Sequence, residues 1–261
     1  MQPLSVLNPV SQASNTSGPS QTEGQFRQPF LQVPWTKRDM LWAVISGFSL
    51  LAGLTLLLTV GMGWYQRTTG VELPAASGLV TLLAELAFLL PVWWFGVRKY
   101  HLSWSSVGLR PADASRSVGL GCLFLLLAFS FNFLWSLFLS LFSLRAQPDL
   151  LPLFGGGIGG LLLALFTGGI VAPFAEEVFF RGFVFAGLYQ HLGLRRALVL
   201  NATLFALVHI LPTSWPPIFV LGVLFALLYE RTGSIWPAVA VHGAMNSLSF
   251  LALYLLGVLN H

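Results

Sequence analysis

Seven long apolar runs, parted by short polar breaks, fill the chain from Met40 onward and limit its fold more than any other feature. They fall at residues 40–63, 76–97, 117–142, 157–190, 195–211, 216–230 and 235–257. Most approach the ~20 residues that carry a helix across a bilayer. Only 8% of the 261 residues are charged, against about a quarter in soluble domains. So few charges cannot build a water-facing surface, so lipid must surround most of the chain. Inside lipid every backbone group must be bonded internally. The predicted fold is therefore all-α, a polytopic membrane bundle of about seven transmembrane helices. The run at 216–230 is short, while 157–190 reads either as one tilted helix or as a helix broken at Pro173.

Three segments follow from composition. Residues 1–36 are rich in Gln, Ser, Asn, Pro and Gly and read as a disordered cytoplasmic arm. No apolar stretch follows a basic start there, so the arm does not read as a signal peptide. Residues 37–150 hold the N-terminal helices, and 151–261 hold the polar residues discussed below. The single cysteine, Cys122, can form no intrachain disulfide and no metal cluster by itself.

Lys and Arg set the expected orientation. With the N-terminus inside, the inner segments hold Arg27, Lys37, Arg38, Arg98, Lys99, Arg110, Arg116, Arg195, Arg196 and Arg231, while the outer loops hold only Arg67 and Arg145. That bias predicts a cytoplasmic N-terminus and an external C-terminus. The net charge of +4 is spread among loops, which fits topology and not nucleic-acid binding.

Ionisable residues inside the apolar runs carry the functional information, because each costs roughly 2.5–3.5 kcal/mol to insert unless paired or hydrated. Glu85, Glu176, Glu177, Arg181, His209 and His242 are of this kind. Arg181 follows Glu177 by four residues, and the same spacing links Phe205 to His209 and His242 to Asn246. Each pair then projects to one side of its own helix. At 1.5 Å per residue, Glu177 and His209 both stand about 21 Å from the loop at 191–195, and His242 and Asn246 stand about 12–18 Å from Ser234. Three antiparallel helices can bring these groups to similar levels, nearer the outer face. Glu85 has no motif and is left outside this set.

Hydrolysis of an amide needs an activated water, donors for a tetrahedral oxyanion and a proton for the leaving amine. Neighbouring helical residues differ by about 100°, so Glu176 and Glu177 cannot point the same way. One is expected to face a reaction chamber while the other holds Arg181. His209 has the chemistry to share the water or bind a metal. His242 and Asn246 can supply oxyanion donors or further ligands. Glu176, His209 and His242 would be the ligands of a zinc ion if one is present, since two His and a carboxylate form a catalytic set. The HExxH helix and the G-x-S-x-G turn are absent. Metal-assisted and metal-free glutamate mechanisms both stay open; Asn246 suits an oxyanion hole better than a zinc shell, which favours no cofactor.

EEVFFR (176–181), FALVH (205–209) and HGAMN (242–246) resemble the EExxxR, FxxxH and HxxxN motifs of the CPBP intramembrane proteases, which include type II CAAX prenyl endopeptidases and bacteriocin self-immunity proteins. The resemblance covers about residues 155–257. It implies that Glu176 activates water together with His209, that Glu177 and Arg181 shape the site, and that Phe205 packs beside His209. It implies that His242 and Asn246 stabilise the oxyanion or ligate a metal. The implied substrate is a membrane-associated peptide or protein, prenylated if it is of the CAAX type, the other partner is membrane lipid, and the implied setting is a bacterial plasma membrane.

Two other classes use the same residue types. Glu, His and Arg within spans also build proton relays, so a proton-coupled transporter is the alternative, although no duplicated half is visible. A non-catalytic immunity or scaffold protein is the third. As isolated features, Glu177–Arg181 is a structural ion pair, Asn246 interhelical glue and Phe205 packing.

Overall fold

The computed structural model describes residues 31–71, 75–144, 149–209 and 211–259. The arm expected before residue 31, together with Arg27 and Arg145 of the charge count, lies outside them. Seven principal helices follow one another: α1 (Lys37–Thr69), α2 (Ala76–Arg98), α3 (Ala114–Ser140), α4 (Gly157–Leu192), α5 (Leu194–Leu207), α6 (Trp215–Thr232) and α7 (Trp236–Leu259). The described residues contain no strand. The fold is the expected polytopic helical bundle.

Among the described residues, six of these helices are long and apolar enough to cross a membrane. The exception is α5, which corrects the run read at 195–211. It has 14 residues, so it rises only about 21 Å. The chain leaves the helix after Leu207 because Pro212 cannot continue it, and a short turn at Pro212–Ser214 leads into α6. His209 therefore lies just beyond a helix end and not within a span.

Residues 31–36 differ from the polar arm with which their composition grouped them. Leu31, Val33 and Trp35 are buried in the main core, because L-Q-V-P-W alternates apolar and polar residues. Thr36 then caps α1 reciprocally with Asp39. The same Asp39 carboxylate accepts from Lys99 Nζ at 2.5 Å and Tyr100 Oη at 2.6 Å, tying the start of α1 to the end of α2.

The bundle is greasy outside as well as inside. Leu56, Leu57, Leu126 and Phe133 on α1 and α3 are each more than 60% exposed, which suits lipid contact. The core sits around α4, whose residues 177–187 are all buried. The helix runs through Pro173 without breaking. A π-helical turn at Thr167–Val171 precedes the proline, and a second at Val178–Phe185 follows the glutamate pair. The wide turn before Pro173 gives room for a ring that would otherwise strike the carbonyl four residues back.

Wide turns leave carbonyls in need of donors, and other segments supply them. Asn201 of α5 donates to Phe180 O at 2.8 Å, and the indole of Trp35 donates to Phe183 O at 3.1 Å. Close approach of α7 to α4 depends on Gly243, where a Cβ would come within 2.4 Å of Gly169 O. Replacing Asn201 with Leu leaves Phe180 O unbonded in a dry interior and is expected to cost about 1–3 kcal/mol. The check is the thermal unfolding midpoint in detergent, with Asn201→Leu falling below wild type.

Candidate active site

Glu177 and Arg181 stand one turn apart on the fully buried stretch of α4. Arg181 Nη1 donates to Glu177 Oε1 at 2.8 Å, and both side chains have no exposure. His242 Nδ1 lies 3.0 Å from the same oxygen, so the pair joins α4 to α7. The other arm of the guanidinium reaches Gly222 O of α6 at 3.4 Å. Its cationic carbon sits 4.1 Å from the Phe205 ring centre and 5.1 Å from that of Phe225. Ring faces are electron-rich, so they stabilise a cation where water is excluded.

Glu176 turns elsewhere, as the angular offset between neighbouring helical residues requires. Its Oε2 lies 3.9 Å from His242 Nε2, beyond hydrogen-bond length, and is buried without a hydrogen-bond partner. The imidazole of His242 thus stands between two adjacent carboxylates, with one nitrogen towards each. Its orientation is held by Phe225, stacked on it at 4.9 Å, and by Phe205, edge-on at 5.9 Å.

His209 reaches the cluster from the end of α5. Its Nδ1 lies 2.8 Å from Phe205 O, which can only accept, so Nδ1 carries the hydrogen and Nε2 presents a lone pair in the neutral ring. The contact also satisfies a carbonyl of the last helical turn. The loop behind it is clamped: Trp215 Nε1 donates to His209 O at 2.6 Å, and Trp135 Nε1 donates to Thr213 O at 2.7 Å. Phe205 packs at 5.2 Å from His209 and touches His242 on the same side. It is the shared neighbour of both imidazoles.

Asn246 lies one turn beyond His242, and its Nδ2 donates to Gly168 O at 2.8 Å. That bond anchors it to the first wide turn of α4. A carboxamide nitrogen carries two hydrogens, so one donor is left. The structure therefore gathers Glu176, Glu177, Arg181, Phe205 and His242 tightly, with His209 across the Phe205 ring and Asn246 above. Among the described residues, no three His, Cys, Asp or Glu side chains form a group able to hold a metal ion.

Some of the walls were invisible in the motifs. Phe225 and Gly222 of α6 line the ion pair, and only their place in space reveals this. A cavity of about 430 Å³ opens between α4 and α7, lined by Ile170, Phe174, Trp236, Val239 and Ser247 and by none of the seven motif residues.

Truncating Arg181 to Ala would leave the buried Glu177 with His242 but without its cation, a loss of about 3–5 kcal/mol. The double variant Glu177→Gln with Arg181→Met is expected to unfold closer to wild type than Arg181→Ala does. Thermal unfolding of the three purified proteins in detergent measures the difference.

Comparison with known proteins points the same way. Residues 158–248 match the family model described as type II CAAX prenyl endopeptidase Rce1-like. A protein of Bacillus subtilis (strain 168) described as "Putative membrane peptidase YdiL" is 32% identical over 85 residues, 33% of this chain and 35% of the relative. The chain thus spans about a third of the length of the curated relative it matches. No solved structure matches. All seven motif residues, from Glu176 to Asn246, fall inside the matched segment, whereas Glu85 falls outside it. Across residues 158–248, the resemblance of this chain to the type II CAAX prenyl endopeptidases is borne out.

Proposed function

We propose that this integral membrane protein is an intramembrane endopeptidase that hydrolyses a peptide bond of a membrane-associated substrate with water activated by Glu176. One observation carries the reading: two adjacent glutamates are held in opposite states of engagement. Glu177 Oε1 is held by both Arg181 and His242, although its Oε2 is buried without a partner, while Glu176 has no such cation and its unpartnered Oε2 faces His242 Nε2 at 3.9 Å. A carboxylate oxygen with free lone pairs, set against an imidazole in dry surroundings, suits a general base.

In the mechanism we infer, Glu176 takes a proton from water as the oxygen attacks the carbonyl carbon of the scissile bond. The carbonyl π electrons move to oxygen and make a tetrahedral oxyanion. The second N–H of Asn246 is a candidate donor to it, and so is Nε2–H of His242 when that ring is an imidazolium, its Nδ1–H being held by Glu177. Glu176 then returns its proton to the departing amine nitrogen as the C–N bond breaks. His209, with Nδ1–H held by Phe205 O, offers Nε2 to the same water. No metal is required for these steps.

The family match supports a CAAX-type, prenylated substrate. The bias of Lys and Arg supports a cytoplasmic N-terminus in the plasma membrane.

A farnesylated reporter peptide offered to purified protein is the direct test. Wild type is expected to cleave it, and Glu176→Ala to lower kcat by at least about 100-fold, within the range for loss of a general base. Equal turnover by both proteins rejects the reading. Dialysis against a strong chelator is expected to leave kcat unchanged; loss of activity restored by added zinc would reject the metal-free route.

A further inference from the structure

Glu85 is an ionisable side chain in a span that no motif explains. It lies within α2, nine residues from Ala76 and thirteen from Arg98, near the middle of the membrane by position. The helix tightens directly after it, where Phe88 N–H donates to Glu85 O at 3.1 Å.

Two contacts establish how α2 lies along α4. Gly78 comes so near α4 that a Cβ there would stand 3.1 Å from Leu163. Further along, the ring of Phe88 sits 4.8 Å from that of Phe179. Both helices thus run in the same direction, with ten residues of α2 beside sixteen of α4. Glu85 falls level with about residue 174, within one turn of Glu176. The stretch Ala76–Leu86 packs directly against Ala172–Glu177, so the two carboxyls share one region of the interior.

Glu85 Oε2 and Glu176 Oε2 are both buried and both lack a hydrogen-bond partner. Buried polar atoms in folded proteins are almost always paired. Arg181 Nε, Thr167 Oγ1 and Glu177 Oε2 are buried without partners too, and His242 Nε2 stands 3.9 Å from Glu176 Oε2, beyond hydrogen-bond length; it is the register of α2 along α4 that makes the Glu85 carboxyl a partner for Glu176. Carboxylates only accept, so a bond between them needs a hydrogen, from a proton held on one of them or from a bridging water.

We propose that Glu85 is a positioning residue for Glu176, the two carboxyls being joined by a hydrogen bond, direct or through one water, that aims the water-activating group. The inference rests on the endopeptidase reading and deepens it. Each carboxylate oxygen has two lone pairs, so a bond to Glu85 leaves Glu176 free to take a proton from substrate water. The first half of the chain then contributes to a site whose motifs all lie in the second half.

Two variants and two measurements test it. Glu85→Leu is expected to lower kcat on the farnesylated reporter by about 10-fold to 100-fold, the scale of a misplaced catalytic group, with KM unchanged. Glu85→Gln, which keeps a hydrogen-bonding side chain of equal length, recovers most of that loss. The unfolding midpoint of Glu85→Leu is expected to fall modestly, because Glu176 loses its buried partner, so kcat is read well below that midpoint and the recovery in Glu85→Gln separates positioning from folding. Infrared difference spectra of the carboxyl C=O region need no substrate. There, removing either Glu85 or Glu176 is expected to shift the band of the other. Wild-type kcat in Glu85→Leu, a loss confined to KM, or bands that subtract independently would overturn the proposal. A wild type that leaves the reporter uncut while the two bands stay coupled rejects the endopeptidase reading and keeps the pair.

Discussion

Arg181 has no water to solvate it. A guanidinium taken out of water loses several kcal/mol of hydration, and the interior must replace it with fixed partners. Here those partners come from three helices: Glu177 on α4 itself, the Gly222 carbonyl on α6, and the ring faces of Phe205 and Phe225 on α5 and α6. His242 of α7 completes the set by bonding the same carboxylate oxygen. Satisfying one buried cation thus fixes where four helices meet. The angular offset along α4 then leaves Glu176, the next residue, turned away from that node and free for other work.

The backbone of α4 bends its own rules to hold this arrangement. Two π-helical turns bracket the segment that carries Pro173 and both glutamates. Such turns recur at functional sites because they re-aim side chains at the cost of unpaired carbonyls. In this chain the cost is offset by donors from distant segments, Asn201 and Trp35. Asn246 does the same at the first turn by bonding Gly168 O. The groups that look catalytic and the groups that hold the helix in shape therefore form one connected network.

Spacing alone made the core of the site legible. A carboxylate and a guanidinium four residues apart on a dry helix have little choice but to pair, and Glu177 and Arg181 do so at 2.8 Å. The same reasoning placed Phe205 beside His209, whose ring bonds back to the Phe205 carbonyl. It failed at the end of α5, since an apolar run extending to 211 concealed a helix that stops at Leu207. It failed again at residues 31–36, where a polar neighbourhood hid Leu31, Val33 and Trp35. Hydropathy averages over a window, whereas burial is decided residue by residue.

By itself the sequence determined the solvent, the helical class and the seven residues of the motifs, because local periodicity and the scarcity of charge depend only on neighbours along the chain. It also paired residues one turn apart, for the same reason. Only the tertiary structure decided which imidazole stands between the two carboxylates, which carbonyl and rings complete the shell of Arg181, and that Glu85 of α2 lies level with Glu176. Those are relations between helices far apart in the chain, set by packing and by the need to satisfy buried polar atoms, and no local spacing encodes them.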